Sequence, residues 1–163
     1  MAVGNVLLAA PLPGDPDVLD LSAAAAECSL AGVPVVAPHV PTEPSRTADD
    51  LSDAAVRQWL ATTAMALRRA SPAGATLLVL QGAAALRAPD LALALQGSRR
   101  ARAGYVLVGP TGLPPPGLSQ WPDAPVVVIP GTDPAPAADA RRRGWQVLQG
   151  YAPTLVAQVA ARP

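Results

Sequence analysis

Six short apolar runs, set apart by stretches that read as helix or loop, constrain this chain more than any other feature. They are Val6 to Ala10, Val33 to Ala37, Thr76 to Leu80, Tyr105 to Val108, Val126 to Ile129 and Trp145 to Leu148. A short run without polar alternation suits a strand buried on both faces, as in a parallel sheet covered by helices. The stretches between the runs carry helix ends. Asp17 is placed to cap an Ala-rich helix that Gly32 stops in the left-handed conformation. Thr47 and Asp50 form a capping-box-like start, after which Leu51, Ala55, Val56, Trp59, Leu60, Thr63 and Leu67 recur at helical spacing. Asp133 and Pro134 open a further helix that Arg141, Arg142 and Arg143 close at the negative end of its dipole before Gly144, and a last helix starts near Pro153. Strict alternation predicts one α/β domain over residues 1–163, built on a doubly wound, mostly parallel sheet of about six strands.

The core of that sheet has to be built almost without aromatic side chains. Half of the 163 residues are hydrophobic, but only 3% are aromatic and Phe is absent, so Ala, Val and Leu fill the interior around Trp59, Trp121 and Trp145. Twelve basic residues balance twelve acidic ones, which removes the positive field that non-specific nucleic-acid binding relies on. Nucleic acid is therefore not an expected partner. Every basic residue is Arg; with the abundance of Ala and Pro this suggests a high-GC genome, and it excludes Schiff-base and P-loop lysine chemistry. Cys28 is alone, which rules out an intramolecular disulfide and a cysteine-based metal site and fits a reducing cytoplasm. Pro11, Pro13, Gly14, Asp15, Asp17 and Asp20 interrupt the N-terminal stretch where a signal peptide needs an unbroken apolar core, and no run approaches the ~18 apolar residues of a membrane span. A cytoplasmic location without a membrane is the expectation.

Pro and Gly cluster in two places, from Leu12 to Asp15 and from Gly109 to Pro125, each just after a strand. Ligands of open α/β sheets bind at the carboxyl ends of the strands, which makes the second and longer cluster a candidate cleft rim as well as a rigid connector.

Several local patterns together resemble the α/β-hydrolase fold, reduced to its later strands. Val6-Leu7-Leu8-Ala9-Ala10-Pro11 resembles the first core strand leading to the oxyanion loop, and Ala31-Gly32-Val33-Pro34-Val35-Val36-Ala37-Pro38 resembles the next strand. Thr76 to Ala85 is similar to the strand and nucleophile elbow, Tyr105 to Val108 to the following strand, Val126 to Pro134 to the strand bearing the acid, and Gln149-Gly150-Tyr151 to the turn that presents histidine. An elbow serine sits on a tight strand-to-helix turn, exposed at the top of the sheet, where a histidine removes its proton. At that place this chain has Ala83, or Ala84 with a one-residue shift, and neither can attack. The same residues, Gln81 to Ala85, also read as an Ala-rich helix start in a different α/β fold.

The other positions implied by the resemblance are altered too. Tyr151 stands for the histidine, and a phenol of pKa about 10 is a poor base at neutral pH. Asp133 lies near the acid position, though its simpler role is as a helix cap. Pro11 replaces part of the His-Gly pair of the oxyanion loop and has no N–H to donate. His39, the sole histidine, falls just past a strand end and is the remaining acid/base candidate; a solvated or structural loop histidine is the alternative. Glu43, Asp49, Asp50 and Asp53 read as a solvated helix start rather than a metal site, Cys28 as a packed thiol, and Arg99, Arg100 and Arg102 as a basic turn without a phosphate loop. No cofactor and no metal are expected.

The reading is a lidless, truncated α/β-hydrolase-like pseudoenzyme. It would bind a protein partner or a small apolar ligand through Pro11, His39, Gln81, Gly82, Ala83, Trp121 and Tyr151, and an exposed strand edge of this kind favours a homo- or hetero-oligomer. The rival reading is a cyclase, isomerase or lyase needing no nucleophile, with His39 and Tyr151 as donors; it requires an apolar pocket reaching Ala83, Tyr151 and Trp121. Hydrolysis through Ser98 or Ser119 is the third, since neither serine follows a strand in elbow geometry.

Overall fold

Strand β1 (Val3–Leu8) lies between two strands that come later in the chain, β2 (Val35–Val36) on one side and β3 (Ala75–Gln81) on the other. From β3 the sheet continues through β4 (Arg102–Val108), β5 (Val126–Ile129) and β6 (Gln146–Val147), giving the order β2-β1-β3-β4-β5-β6 with every pairing parallel. This architecture is that of a computed structural model, which describes residues 3–38, 53–70, 74–96, 101–117 and 121–162. The predicted doubly wound α/β class is the observed one, with six strands.

The sequence explains the two layers that cover the sheet. Strands β3 and β4 are buried along nearly their whole length because both pleat faces are apolar. Leu78, Leu80, Tyr105 and Leu107 face one core with Trp59 and Leu67 of α2 (Asp53–Ala70) and Leu91 and Leu95 of α3 (Ala88–Gln96); Ala140 of α4 (Ala135–Arg142) joins them. Leu77, Val79, Val106 and Val108 face the other with Ala24 and Cys28 of α1 (Leu21–Leu30) and Val156 and Val159 of α5 (Ala152–Ala160). Right-handed crossovers account for the division: the chain moves one way from β1 to β2 and the opposite way through β3, β4, β5 and β6, so α1 falls on one face and α2, α3 and α4 on the other.

Helix ends follow the sequence with one shift. Gly32 terminates α1 with φ of +75°, and Asp133 Oδ1 accepts the Ala135 N–H at 2.9 Å to start α4, so capping is the role the geometry gives this aspartate. The cap of α1, however, is Asp20, whose Oδ1 accepts the Ala23 N–H at 2.9 Å, and not Asp17. The cause lies in strand β3. Gln81 Oε1 accepts the N–H groups of both Val18 and Leu19 at 2.9 Å, which keeps these residues out of the helix and delays its start by about one turn. Thr47, Asp50 and Leu51 lie outside the described residues; the rest of the apolar face predicted for α2 packs on the sheet, with Val56, Trp59, Thr63 and Leu67 buried. Among the described residues no helix is long and apolar enough to cross a membrane.

Candidate functional site

Where β1 and β3 run side by side, the chain leaves β1 toward β2 and leaves β3 toward β4, so their following segments diverge. Such a switch point is where an open α/β sheet has room for a ligand. Here the β1–α1 connection, residues 9–20, folds across it. Leu12 and Leu19 are buried at 4% and 1% exposure and pin the two ends of this strap, and Trp59 Nε1 donates to the Ala10 carbonyl at 2.9 Å, fixing its start to α2.

Strand β3 ends in an abrupt turn. Gln81 is extended, Gly82 has φ of +54°, and a 3₁₀ turn over Gly82–Arg87 leads directly into α3. The left-handed residue of this strand-to-helix turn is thus Gly82, one place before Ala83. A side chain on Gly82 would meet Asp15, whose Oδ2 lies 3.2 Å from the position of the missing Cβ. The same Oδ2 accepts the Ala83 N–H at 2.9 Å. The backbone donor that follows the turn residue is therefore already occupied by a carboxylate of the protein itself.

The strap also covers the next strand end. Gly109, after β4, has φ of +49°, and a Cβ there would stand 2.3 Å from Val18 Cγ1; Gly131, after β5, packs against the Gly109 backbone, with its own missing Cβ 3.1 Å from Gly109 Cα. Glycine is required at both positions because the Val18 side chain of the strap closes on Gly109 and the two strand ends approach to backbone contact. Gln81, fully buried, is the pivot beneath. Its Oε1 holds Val18 and Leu19, while its Nε2 makes no hydrogen bond among the described residues.

Beside the strap a cleft of about 430 Å³ opens toward α2 and α3. Leu12, Val56, Ala83, Leu86 and Pro115 form its apolar wall, and Arg87 and Asp90, paired at 3.6 Å, its polar lip. Pro115 belongs to the Pro-rich connection after β4, so that segment does supply rim to this cleft.

A second polar constellation lies on the same sheet face toward the start of β4, and no motif in the sequence announces it. Tyr105, wholly buried, donates its hydroxyl to Asp123 Oδ1 at 2.6 Å, and Arg102 donates Nε to Asp123 Oδ2 at 2.6 Å with a further bond from Nη2. Burial pushes the Tyr105 phenol above its ordinary range, and the hydrogen bond to Asp123 and the charge of that carboxylate push it further. Burial opposes ionisation of Asp123 as well, but the hydrogen bonds from Arg102 and Tyr105 and the Arg102 charge outweigh it and hold the carboxyl below its usual value. Trp121 stacks edge-on to Tyr105 at 5.6 Å and to Trp145 at 5.4 Å, and Arg143 lies over the Trp145 ring at 5.0 Å while donating Nη1 to the Pro114 carbonyl at 2.6 Å. These contacts bind the Pro-rich connection to the sheet. A small cleft of about 110 Å³ there is lined by Arg102, Trp121, Asp123 and residues of α3.

The residues expected to share one site are therefore dispersed. Gln81, Gly82 and Ala83 meet at the switch point, with Pro11 half-buried in the strap above them. Trp121 is 6% exposed and belongs to the Tyr105 cluster, and Tyr151 is 63% exposed at the start of α5 and lines neither cleft. The pocket joining Ala83, Tyr151 and Trp121 that nucleophile-free catalysis requires is not formed by either cleft. His39, Glu43, Asp49, Asp50, Ser98, Arg99, Arg100 and Ser119 lie outside the described residues. Among the described residues no three His, Cys, Asp or Glu side chains are grouped to hold a metal ion, and Cys28 is buried on α1, where burial, reinforced by Glu27, pushes its thiol up. Reactive cysteines have the opposite shift. No motif or spacing marks Asp15, whose role depends on a fold-back across 68 residues. No family model matches the chain, and no curated protein does.

Proposed function

We propose that this domain is an α/β-hydrolase-like pseudoenzyme that binds a small apolar molecule in the cleft of about 430 Å³ beside the β3 turn and performs no hydrolysis. The observation that carries the reading is the state of the turn. A nucleophile elbow needs a reactive side chain on the strained residue and a free N–H on the next one to hold the oxyanion. Here the strained residue is Gly82, which has no side chain, and the next N–H is taken by Asp15.

Support for apolar binding comes from the cleft wall. Leu86 is 40% exposed and faces the same space as Leu12, Val56 and Pro115, an arrangement suited to an apolar group with the Arg87–Asp90 pair at its mouth. The buried lone thiol is in keeping with a reducing cytoplasm. Titration with the uncharged apolar fluorophore Nile red, which carries a carbonyl acceptor, tests the assignment. Saturable fluorescence is expected from the protein and a loss of at least fivefold in affinity from Leu86→Arg, a substitution at a partly exposed position that the fold accommodates. Equal binding by the two proteins would remove the cleft from consideration.

A further inference from the structure

The strap over the switch point is attached in two different ways, and the difference suggests what it does. Its C-terminal part is held from below: Leu19 is buried at 1% exposure, and Gln81 Oε1 binds the Val18 and Leu19 N–H groups at 2.9 Å each. Its middle part rests on the surface. Pro13, Gly14, Pro16 and Asp17 are exposed, one turn bond closes Leu12 to Asp15 (Asp15 N–H to Leu12 carbonyl, 3.0 Å), and one hydrogen bond, from Ala83 N–H to Asp15 Oδ2, ties the segment to the sheet. Gly14, with φ of +89° and open space where a Cβ would stand, supplies a joint that tolerates a change of backbone direction.

What lies on either side of that single bond matters. Leu12, whose carbonyl accepts the Asp15 N–H, and Ala83, whose N–H donates to the Asp15 carboxylate, both line the cleft of about 430 Å³, so the Asp15–Ala83 contact stands at its edge. Behind the contact lies Gly82, whose side-chain position is filled by Asp15 at 3.2 Å and Val18 at 3.7 Å. Parting Asp15 from Ala83 would join the space above Gly82 to the cleft and free one backbone donor at its new end.

We propose that residues 13–17 form an autoinhibitory strap, anchored at the buried Leu12 and hinged at the Gln81-bound Val18–Leu19 pair, and that the Asp15 carboxylate on the Ala83 N–H is the latch that keeps the cleft short. The proposal rests on the binding role given to that cleft. The latch is a carboxylate on an N–H that has no other acceptor among the described residues, so a ligand bearing its own acceptor competes for the same donor as it extends into the cleft. The strap then opens in step with occupancy, because closed strap and extended ligand cannot share Ala83.

Amide hydrogen exchange resolved by residue, combined with the same dye, tests this on the full chain. In Asp15→Ala the Ala83 amide is expected to exchange at least tenfold faster, with Val18, Leu19 and the β3 amide of Leu78 unchanged, and dye affinity is expected to rise at least threefold. An Ala83 amide as protected as in the unaltered protein overturns the latch. So does equal acceleration at Val18, Leu19 and Leu78, which would mark general loosening, and so does faster Ala83 exchange without a gain in dye affinity. Failure of the binding role is read separately, from Leu86→Arg in the unaltered background, and the exchange pattern does not depend on it.

Discussion

The Asp15 carboxylate and the Ala83 backbone N–H, 68 residues apart in sequence, meet at 2.9 Å over the one left-handed residue at the end of β3. That contact converts a strand-to-helix turn, in other settings a place for chemistry, into a closed corner. The rest of the strap is held independently of it. Val18 comes to lie on Gly109, Gln81 finds acceptor work beneath the strap, and α1 begins only at Leu21.

Gln81→Leu is expected to destabilise the protein by about 1–3 kcal/mol, the usual consequence of leaving buried donors unsatisfied. Two N–H groups, of Val18 and Leu19, lose their acceptor at once, and leucine offers none. Urea unfolding checks the value, and the Val18 and Leu19 amides should lose protection before those of β4 do. A stability within about 0.5 kcal/mol of the unaltered protein, the range of neutral surface changes, would mean the strap has other anchors.

Gly109→Ala combines a strained φ of +49° with a Cβ placed 2.3 Å from Val18 Cγ1. A loss of about 2 kcal/mol or more is expected, in the range of overpacking. Part of it is steric and belongs to Val18, whose Cβ stands farther off at 3.4 Å. Val18→Ala in the Gly109→Ala background should therefore recover stability, and a double-mutant cycle should give a coupling of about 1 kcal/mol. Additive effects would contradict the close approach of strap and strand end.

The Tyr105–Asp123–Arg102 network makes a prediction in acid. The folded-state pKa of Asp123 lies below its unfolded value, so its contribution is fully present above about pH 4, the ordinary carboxylate range, and is lost as pH falls through the folded value. Asn is a neutral mimic of the protonated acid. The stability gap between the unaltered protein and Asp123→Asn should be open at pH 7 and narrow as pH drops below 4, measured by chemical denaturation at each pH. Tyr105 behaves in the opposite sense: its raised pKa stabilises the fold below its ordinary value near 10 and the effect fades as pH rises through the folded value. A pH-independent gap for Asp123→Asn would show that the carboxylate is not ionised in the network.

Much of the fold was legible because parallel strands buried on both faces advertise themselves as short apolar runs. Each of the six strands overlaps one of the six runs, β1 and β4 beginning three residues earlier than their runs and β5 coinciding with Val126 to Ile129 to the residue. The ends marked by Gly32 and Asp133 were legible for the same local reason, since a cap depends on its own few residues. The shift from Asp17 to Asp20 was not, because two hydrogen bonds from β3 decide where α1 starts. The site was readable only at the turn itself. Gln81-Gly82-Ala83 could be picked out, but which of them is strained, and that Asp15 seals the next N–H, depend on tertiary contacts that no spacing reveals. Trp121 illustrates the converse: a large residue in a Pro-rich loop looks like a ligand contact and is instead an edge-on partner of Tyr105 and Trp145.

The function proposed for this chain, with an elbow-like β3 turn that lacks a nucleophile, is tested most directly by intact-mass measurement after exposure to a fluorophosphonate. The reagent phosphonylates a serine only where a base and an oxyanion site activate it. The unaltered protein is predicted to keep its mass, because the strained turn residue is Gly82, which has no side chain, and the N–H that follows it is bound by Asp15. A stoichiometric serine adduct on the unaltered protein would contradict the account and identify the chain as a working hydrolase.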